Sequence, residues 1–254
     1  MSLHDHKAML DDLYARFTTR QRAARDPVSV LYRYDNPADR EVAAVIASSL
    51  AYGRVEQILR SVDEALGRLG NGPAATLHSL SRRALFDRFA DFRHRVTSGV
   101  KLAALLEGVA AMQAEHCSLE ACFAAGRQAR DVSILDPCAR FVRALDPRRH
   151  CEHLLADPAG GSACKRLHLM LRWLVRRDAV DPGGWRCIEP AELLVPVDTH
   201  VLQRAQALGI TRRTQPTRDA AEEITAAFRA IAPGDPVRYD FAIAHAGMSV
   251  LRNA

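Results

Sequence analysis

The chain has 254 residues, of which 48% are hydrophobic and 26% are charged, and its formal net charge is +5. This is the composition of a soluble globular protein, and the longest stretch of low charge, VAAVIASSLAY, is too short to cross a bilayer. The N-terminal segment lacks the apolar core of a signal peptide, so we expect a cytoplasmic protein with no membrane partner.

Apolar residues recur at helical spacing along the first half of the chain. The first predicted helix runs from Leu3 to about Ala24, and the turn-rich segment DPVSVLYRYDNPAD follows it. Two further helices are predicted over 39–53 and 54–70, each ending at a glycine. The same spacing predicts helices near 82–92, 98–114, 118–129 and 133–145.

The second half of the chain continues the pattern after a break at ADPAGGSA. A helix follows this break, and a loop with Pro182 and two glycines comes next. The remaining predicted helices cover 198–208, 217–231 and 236–250. Because the chain has no alternating strand pattern, we predict an all-α protein of about ten helices in one unit.

The six cysteines are spread from Cys117 to Cys187, and none forms a CxxC pair. Zinc ligands usually occur as close pairs in the sequence. We therefore expect reduced thiols, no metal site and no cofactor.

Lysine is rare in this chain, since only three of its 35 basic residues are lysines. One of them, Lys165, falls in the first turn of the helix that begins after Gly161, and Ser162 is the predicted N-cap. The helix dipole disfavours a cation at this end, so the dipole and partial burial both favour the free amine. A free amine is a nucleophile, which Arg cannot supply. The alternative is a surface Lys that contacts phosphate at most.

Basic residues are concentrated around this helix. The segment 140–177 contains nine Arg and Lys residues and three acidic residues. Such a segment can neutralise nucleic-acid phosphates, although a solvated helix face would have the same composition.

A second candidate residue lies in the segment LLVPVDTHVLQRAQALGI, 193–210. Asp198 precedes a helical apolar pattern and is predicted as its N-cap, with Gly209 at the far end. An N-cap role alone explains Asp198. A buried carboxylate there can also hold an amine and stabilise a developing positive charge.

These two segments resemble the helix-hairpin-helix (HhH-GPD) DNA glycosylases, the group that contains endonuclease III and the 8-oxoguanine glycosylases. VPVDTHV is similar to the family's aspartate segment, and DPAGGSACK is similar to its glycine-rich hairpin and lysine. The resemblance covers about 37–250 and is sharpest at 157–172 and 193–210. More narrowly, the whole chain resembles a bacterial family, DUF2400, that is related to these glycosylases.

The resemblance implies a two-lobed helical fold with a cleft between the lobes. One lobe would be the middle of the chain, 37–150, and the other would combine 1–36 with 151–254. The implied partner is damaged DNA, duplex or single-stranded, bound by a monomer that would then associate with the nucleoid.

The resemblance also implies the chemistry. A damaged nucleotide, for example an oxidised purine, is flipped into a pocket. Lys165 attacks the sugar and forms a Schiff base, Asp198 acts as acid/base and charge stabiliser, and the enzyme is a DNA glycosylase with AP lyase activity. The backbone of Gly160, Gly161 and Ser162 would hold a phosphate.

This chain departs from the family at several positions. Lys165 comes two positions later than in the usual hairpin, and it precedes Asp198 by 33 positions, a spacing closer to that of the archaeal 8-oxoguanine glycosylases. No cysteine follows Cys187, so the iron–sulfur site of endonuclease III is absent. The family's glutamine-bearing wedge is replaced by SSLAYGR.

Four further residues are weaker candidates for contacts with nucleic acid. Tyr52 and Arg54 follow the early buried helix and are placed to reach into a duplex. Arg166 and Arg172 are placed to contact phosphates, and a solvated face is the alternative for both.

Two residues are candidates for the base pocket. Trp185 is placed to stack on a flipped base, and packing in the core or in a lid is the alternative. His200 is a pocket candidate or a structural partner of the 198 loop, and Asp240 is predicted to be structural.

Two other functions fit the same residues. A nucleoside or RNA N-glycosidase would use the same pocket in a closed cleft, and a non-catalytic nucleic-acid-binding module would keep only the hairpin.

Overall fold

The computed structural model describes residues 3–246, and within them the all-α prediction is confirmed. The described part of the chain forms thirteen α-helices. They are α1 Leu3–Phe17, α2 Arg20–Ala23, α3 Pro37–Ser49, α4 Val55–Leu69, α5 Pro73–Ser79, α6 Arg82–Phe89, α7 Gly99–His116, α8 Leu119–Gly126, α9 Leu135–Leu145, α10 Lys165–Val175, α11 Thr199–Ala207, α12 Arg218–Ile231 and α13 Asp240–His245. Three short 3₁₀ helices, Pro27–Arg33, Pro158–Gly160 and Pro190–Glu192, lie between them. Among residues 3–246, no helix combines the length and apolar character that crossing a membrane requires.

Three elements differ from the predictions. The first predicted helix is interrupted, because Thr19 is an N-cap that starts a new short helix, α2. Helix α5 was not predicted. A small antiparallel hairpin, β1 Arg93–His94 and β2 Thr97–Ser98, lies between two helices, and its two-residue strands are too short to show an alternating pattern. Residues 247–250 of the last predicted helix lie outside the described residues.

Helix α3 is the central element of the fold. It packs against the first 3₁₀ helix, α4, α5, α7 and α10, and its segment 42–47 is fully buried. The carboxylate of Glu41 is buried with it and accepts hydrogen bonds from the backbone of Leu119 and Glu120 at 2.8 and 2.9 Å. Glu41 therefore fixes the start of α8 against α3, since a buried carboxylate needs hydrogen-bond donors.

The two ends of the described chain pack together. Helix α1 contacts α12 and α13, and Tyr14 and Tyr239 meet edge to face with ring centroids 6.4 Å apart. The hydroxyl of Tyr239 also donates to Asp11 at 2.7 Å. The division into two lobes, at 37–150, stays a prediction.

A buried ion network fixes the end of α10. Arg172 bonds to Asp181 at 3.0 Å and also to Asp240, the first residue of α13. Arg176 bonds to Asp181 as well, and to Asp235 at 2.9 Å. These charges come from three parts of the chain and compensate one another away from water, so they lock α13 and the loop after α10 in place.

One buried residue of α10 makes the fold sensitive to acid. His168 is buried, its Nδ1 has no hydrogen-bond partner among the described residues, and burial lowers its pKa to about 4. Between that value and about 6.5 the unfolded chain binds a proton that the folded chain does not, so stability falls as the pH falls through this window.

We therefore expect His168→Leu to reduce the loss of unfolding free energy between pH 7.5 and pH 5 by about 2 kcal/mol. Urea denaturation at the two pH values measures this loss. The exposed His78 in α5 is the matched control, and His78→Leu should behave like the wild type. An identical pH dependence in all three proteins would contradict the prediction.

Candidate active site

The first residue of α10 and the N-cap of α11 meet in one cleft. Lys165 Nζ lies 2.9 Å from Oδ2 of Asp198. The other carboxylate oxygen, Oδ1, accepts a hydrogen bond from the backbone N–H of Val201 at 2.8 Å, so the predicted N-cap role of Asp198 is confirmed. One carboxylate thus caps its own helix and holds the lysine of another.

The start of α10 differs from the prediction. Its N-cap is Cys164, in the left-handed region at φ +45° and without a side-chain capping bond, so the prediction of Ser162 was wrong. The hydroxyl of Ser162 accepts a hydrogen bond from the Cys164 N–H at 3.2 Å, and Ser162 pairs with Thr217 in an isolated bridge. This local turn directs Lys165 into the cleft rather than along the surface.

The carboxylate of Asp198 is partly buried, and this affects its pKa. Burial disfavours its ionisation, but the charge of Lys165 and the hydrogen bond from Val201 outweigh this, and the pKa of Asp198 lies below its ordinary value. The Lys165 side chain is 32% exposed and that of Asp198 is 28% exposed. Lys165 and Asp198 thus form an ion pair, whereas the sequence alone predicted a free amine at position 165.

The cleft follows one face of α10. Its wall includes Lys165, Leu169, Arg172 and Trp173, which occupy positions i, i+4, i+7 and i+8 of the helix. Helical rise places Trp173 about 12 Å along the axis from Lys165. The cleft volume is about 860 Å³, within the range of about 300–1,000 Å³ typical of small-molecule sites.

A partly buried cation lies beside the catalytic candidates. The guanidinium carbon of Arg166 is 5.2 Å from the ring centroid of Tyr52, and burial lowers the pKa of Arg166. None of the side chains of residues 6–246 pairs with it in a salt bridge. Arg166 therefore lies in the cleft wall with its charge available to an anion, rather than on a solvated face.

The predicted hairpin residues lie at the outer edge of the site. Gly160 and Gly161 are exposed in and after the second 3₁₀ helix, and they do not line the cleft, whereas Ser162 does. The carbonyl of Gly161 accepts a hydrogen bond from the N–H of Arg218 at 2.9 Å. His200 is exposed and also lines the cleft. Phosphate binding by this segment stays a prediction.

The structure corrects two of the weaker candidates. Arg172 lines the cleft but is only 2% exposed, and Asp181 and Asp240 compensate its charge, so it is not placed to contact phosphates and does not lie on a solvated face. Trp185 is buried against Phe123 and Phe141, outside the cleft wall. Its indole N–H donates to buried Glu41 at 3.0 Å, so the core-packing alternative is confirmed and stacking on a base is wrong. Asp240 is structural, as predicted.

Several cleft residues were not identified from the sequence. Asp26 caps the first 3₁₀ helix and lines the cleft. His153 also lines it, near Arg166, and contacts Thr97 Oγ1, as the hydroxyl of Tyr52 does. Phe241 and His245 stack with ring centroids 4.0 Å apart and also contribute to the wall. Only Asp26 had a local signal, a capping Asp before Pro, and that signal indicates a turn rather than a site.

The chain belongs to the DUF2400 family, because the model of that family, described as "Protein of unknown function (DUF2400)", matches residues 26–249. No curated protein and no solved structure matches the chain. The narrower resemblance stated from the sequence is therefore confirmed, whereas the relation to the helix-hairpin-helix glycosylases stays a prediction.

Proposed function

We propose that this protein is a DNA base-excision glycosylase with AP lyase activity. The observation that supports the proposal is the contact of 2.9 Å between Lys165 and Asp198 at the mouth of a cleft large enough for a nucleotide base. In this proposal Lys165 is the nucleophile and Asp198 is the acid/base and charge stabiliser. The substrate class is a damaged base, for example an oxidised purine.

The first chemical step releases the base. In the resting pair the proton is on Nζ of Lys165, and its transfer to Oδ2 of Asp198 frees the amine. Nζ then attacks C1′ of the flipped deoxyribose, and the bond to the base breaks with its electron pair leaving on the base nitrogen. The carboxyl of Asp198 returns the proton to the departing base, and as a carboxylate it stabilises the oxocarbenium-like charge at C1′.

The second step cleaves the strand. Asp198 takes a proton from Nζ, which is now bonded to C1′. The lone pair that this leaves on Nζ breaks the C1′–O4′ bond and forms a Schiff base, and O4′ takes up a proton. Loss of a proton from C2′ breaks the C3′–O bond and releases the 3′ phosphate with the electron pair. The cleft wall around Leu169 and Trp173 would hold the base before it leaves.

The charges around the mouth favour a polynucleotide over a free nucleoside. Arg54 is exposed beside Gly53 and Val55, which line the cleft, and Arg166 lies in the wall without a salt-bridge partner among residues 6–246. A nucleoside carries no phosphate for these cations to neutralise.

The test is borohydride trapping with a panel of oligonucleotides. We expect the wild-type protein to form a covalent adduct with DNA that carries an oxidised purine or an abasic site, and none with undamaged DNA. Borohydride reduces the Schiff base to a stable amine, so denaturing electrophoresis detects the adduct.

Two outcomes would contradict the proposal. Base release from free nucleosides without any trapping on DNA would indicate an N-glycosidase. DNA binding with neither trapping nor base release on the whole panel would indicate a binding module.

A further inference from the structure

Exposed valines cluster at the mouth of the cleft. Among the described residues, four large apolar side chains are strongly exposed. Two of the four, Val55 and Val96, line the cleft. Val100 lies on the first turn of α7, four positions after Val96. Single exposed apolar residues are ordinary, but a group of them at one opening indicates a binding surface.

The tip of the β1–β2 hairpin is the most prominent part of this group. Val96 is 75% exposed, and Arg95 beside it is also exposed, with φ +51° in the turn. The residues on either side point inward, since His94 and Thr97 are buried. The hairpin therefore exposes one apolar and one basic side chain at its tip, while the residues on either side of the tip are buried.

Cations without acidic partners surround these valines. None of the following exposed residues forms a salt bridge with a side chain of residues 6–246: Arg54, Arg93, Arg95 and Lys101. The nearest acids in sequence are Glu56, on the first turn of α4, Asp91, which pairs with Arg68 at 2.6 Å, and Glu107, which pairs with Arg82 at 2.9 Å. An apolar tip within a basic surface is complementary to a duplex, whose phosphates are anionic and whose base steps are apolar.

Hydrogen bonds and close packing hold the buried residues of the hairpin in place. The ring of His94 lies 2.9 Å from Ser61 Oγ through Nδ1 and 3.1 Å from the carbonyl of Tyr52 through Nε2. Thr97 Oγ1 lies 2.9 Å from His153 Nε2. A side chain at Gly99, which follows β2, would come within 1.6 Å of the Phe89 carbonyl oxygen, so the hairpin is also packed closely on α6.

Tyr52 connects this hairpin to the candidate active site. Its hydroxyl donates to the carbonyl of His94 at 2.8 Å and lies 2.6 Å from Thr97 Oγ1, while its ring faces Arg166, the neighbour of Lys165. The side chain of Arg95 covers Gly53, where a Cβ would lie 2.9 Å from Arg95 Cδ. The side chain of Tyr52 thus contacts both the hairpin and Arg166, the residue next to the nucleophile candidate Lys165.

We propose that the tip of the β1–β2 hairpin, Arg95 and Val96, inserts into the base stack of duplex DNA and fills the space that the flipped nucleotide leaves. Val96 takes the place of the extruded base, and Arg95 holds the adjacent phosphates. This inference rests on the proposed function in that its partner is DNA. It assigns the wedge to the hairpin, which is distant in sequence from SSLAYGR, where the family carries its glutamine, but is in contact with Tyr52 and Gly53 of that segment.

The experiment measures unstacking directly and does not require catalysis. The probe is a duplex that carries a tetrahydrofuran abasic-site analogue with 2-aminopurine as its neighbour, and the same strand alone is the second probe. Both are titrated with Lys165→Gln protein, which cannot react, and with the double variants Lys165→Gln/Val96→Ser and Lys165→Gln/Val132→Ser. Val132 is the matched control, because it is 95% exposed and lies outside the cleft wall.

We expect binding to raise the 2-aminopurine fluorescence of the duplex with Lys165→Gln alone and with the Val132 variant. The Val96 variant should lose most of this signal and bind the duplex about tenfold more weakly, with an unchanged affinity for the single strand, since insertion is needed only where bases are stacked. Equal melting temperatures of the three proteins establish that folding is not affected.

Three results overturn the proposal: no binding to DNA, equal behaviour of the Val96 and Val132 variants, or an equal loss of affinity for duplex and single strand in the Val96 variant. The proposed function fails separately. If the wild type releases no base and forms no adduct while Val96→Ser still abolishes unstacking, the wedge stands and the enzymatic proposal is wrong.

Discussion

Lys165→Gln should abolish borohydride trapping and reduce base release to the background rate. Glutamine has no nucleophilic amine, so neither the bond to C1′ nor the Schiff base can form. Affinity for DNA should stay close to that of the wild type, because Arg166 and the exposed cations at the mouth of the cleft still neutralise the phosphates. Trapping gels and fluorescence anisotropy measure the two properties.

The rarity of lysine makes this experiment well controlled. The chain has only three lysines, so the trapped peptide should contain Lys165 and not Lys7 or Lys101. Lys7, which lies on α1 outside the cleft wall and pairs with Asp11 at 2.6 Å, is the control, since Lys7→Gln should keep full trapping. Adduct formation by Lys165→Gln, or an adduct mapped to another lysine, would contradict the assignment.

Asp198→Asn should slow base release by several orders of magnitude and keep the fold. Asparagine cannot accept the proton from Nζ or stabilise the positive charge that develops at C1′. Lyase action on a preformed abasic site should be spared to some extent, because elimination does not pass through that charge. Single-turnover rates of base release and of strand cleavage separate the two steps.

The same substitution tests catalysis against structure. Asn is a good N-cap, so the hydrogen bond to Val201 should persist and the unfolding free energy at neutral pH should change by about 1 kcal/mol or less. The contribution of the ionised carboxylate to stability is present above the unfolded pKa and is lost as the pH falls through its depressed folded pKa.

Asp157 offers a matched control for the aspartate. It also caps a helix, through the Ala159 N–H at 2.9 Å, and it also pairs with a cation, Arg143, at 2.8 Å, but it lies outside the cleft wall. Asp157→Asn should leave base release near the wild-type rate. If the two variants lose activity equally, or if Asp198→Asn is fully active, Asp198 has only the capping role.

Local features of the fold were predictable where they depend on a few consecutive residues. Helix α4 was predicted over 54–70 and runs over Val55–Leu69, because its apolar residues repeat at helical spacing and Gly70, at φ +75°, ends it. The N-cap Asp198 and the place of Lys165 in a first turn depend on the same local signals. The hairpin could not be found this way, since two residues per strand show no period.

The sequence by itself determined the helical class and the two candidate side chains, each at the start of a helix. Only the tertiary structure decided that Nζ of Lys165 and Oδ2 of Asp198 lie 2.9 Å apart. It also decided that the buried charge of Arg172 is compensated by Asp181 and Asp240, and that Trp185 bonds to Glu41, 144 positions away. Helix periodicity and capping are set by neighbours within a turn or two, so a sequence records them. A charge is neutralised or exposed according to which distant carboxylates the packing of α3, α10 and α13 brings to it, and no local pattern carries that information.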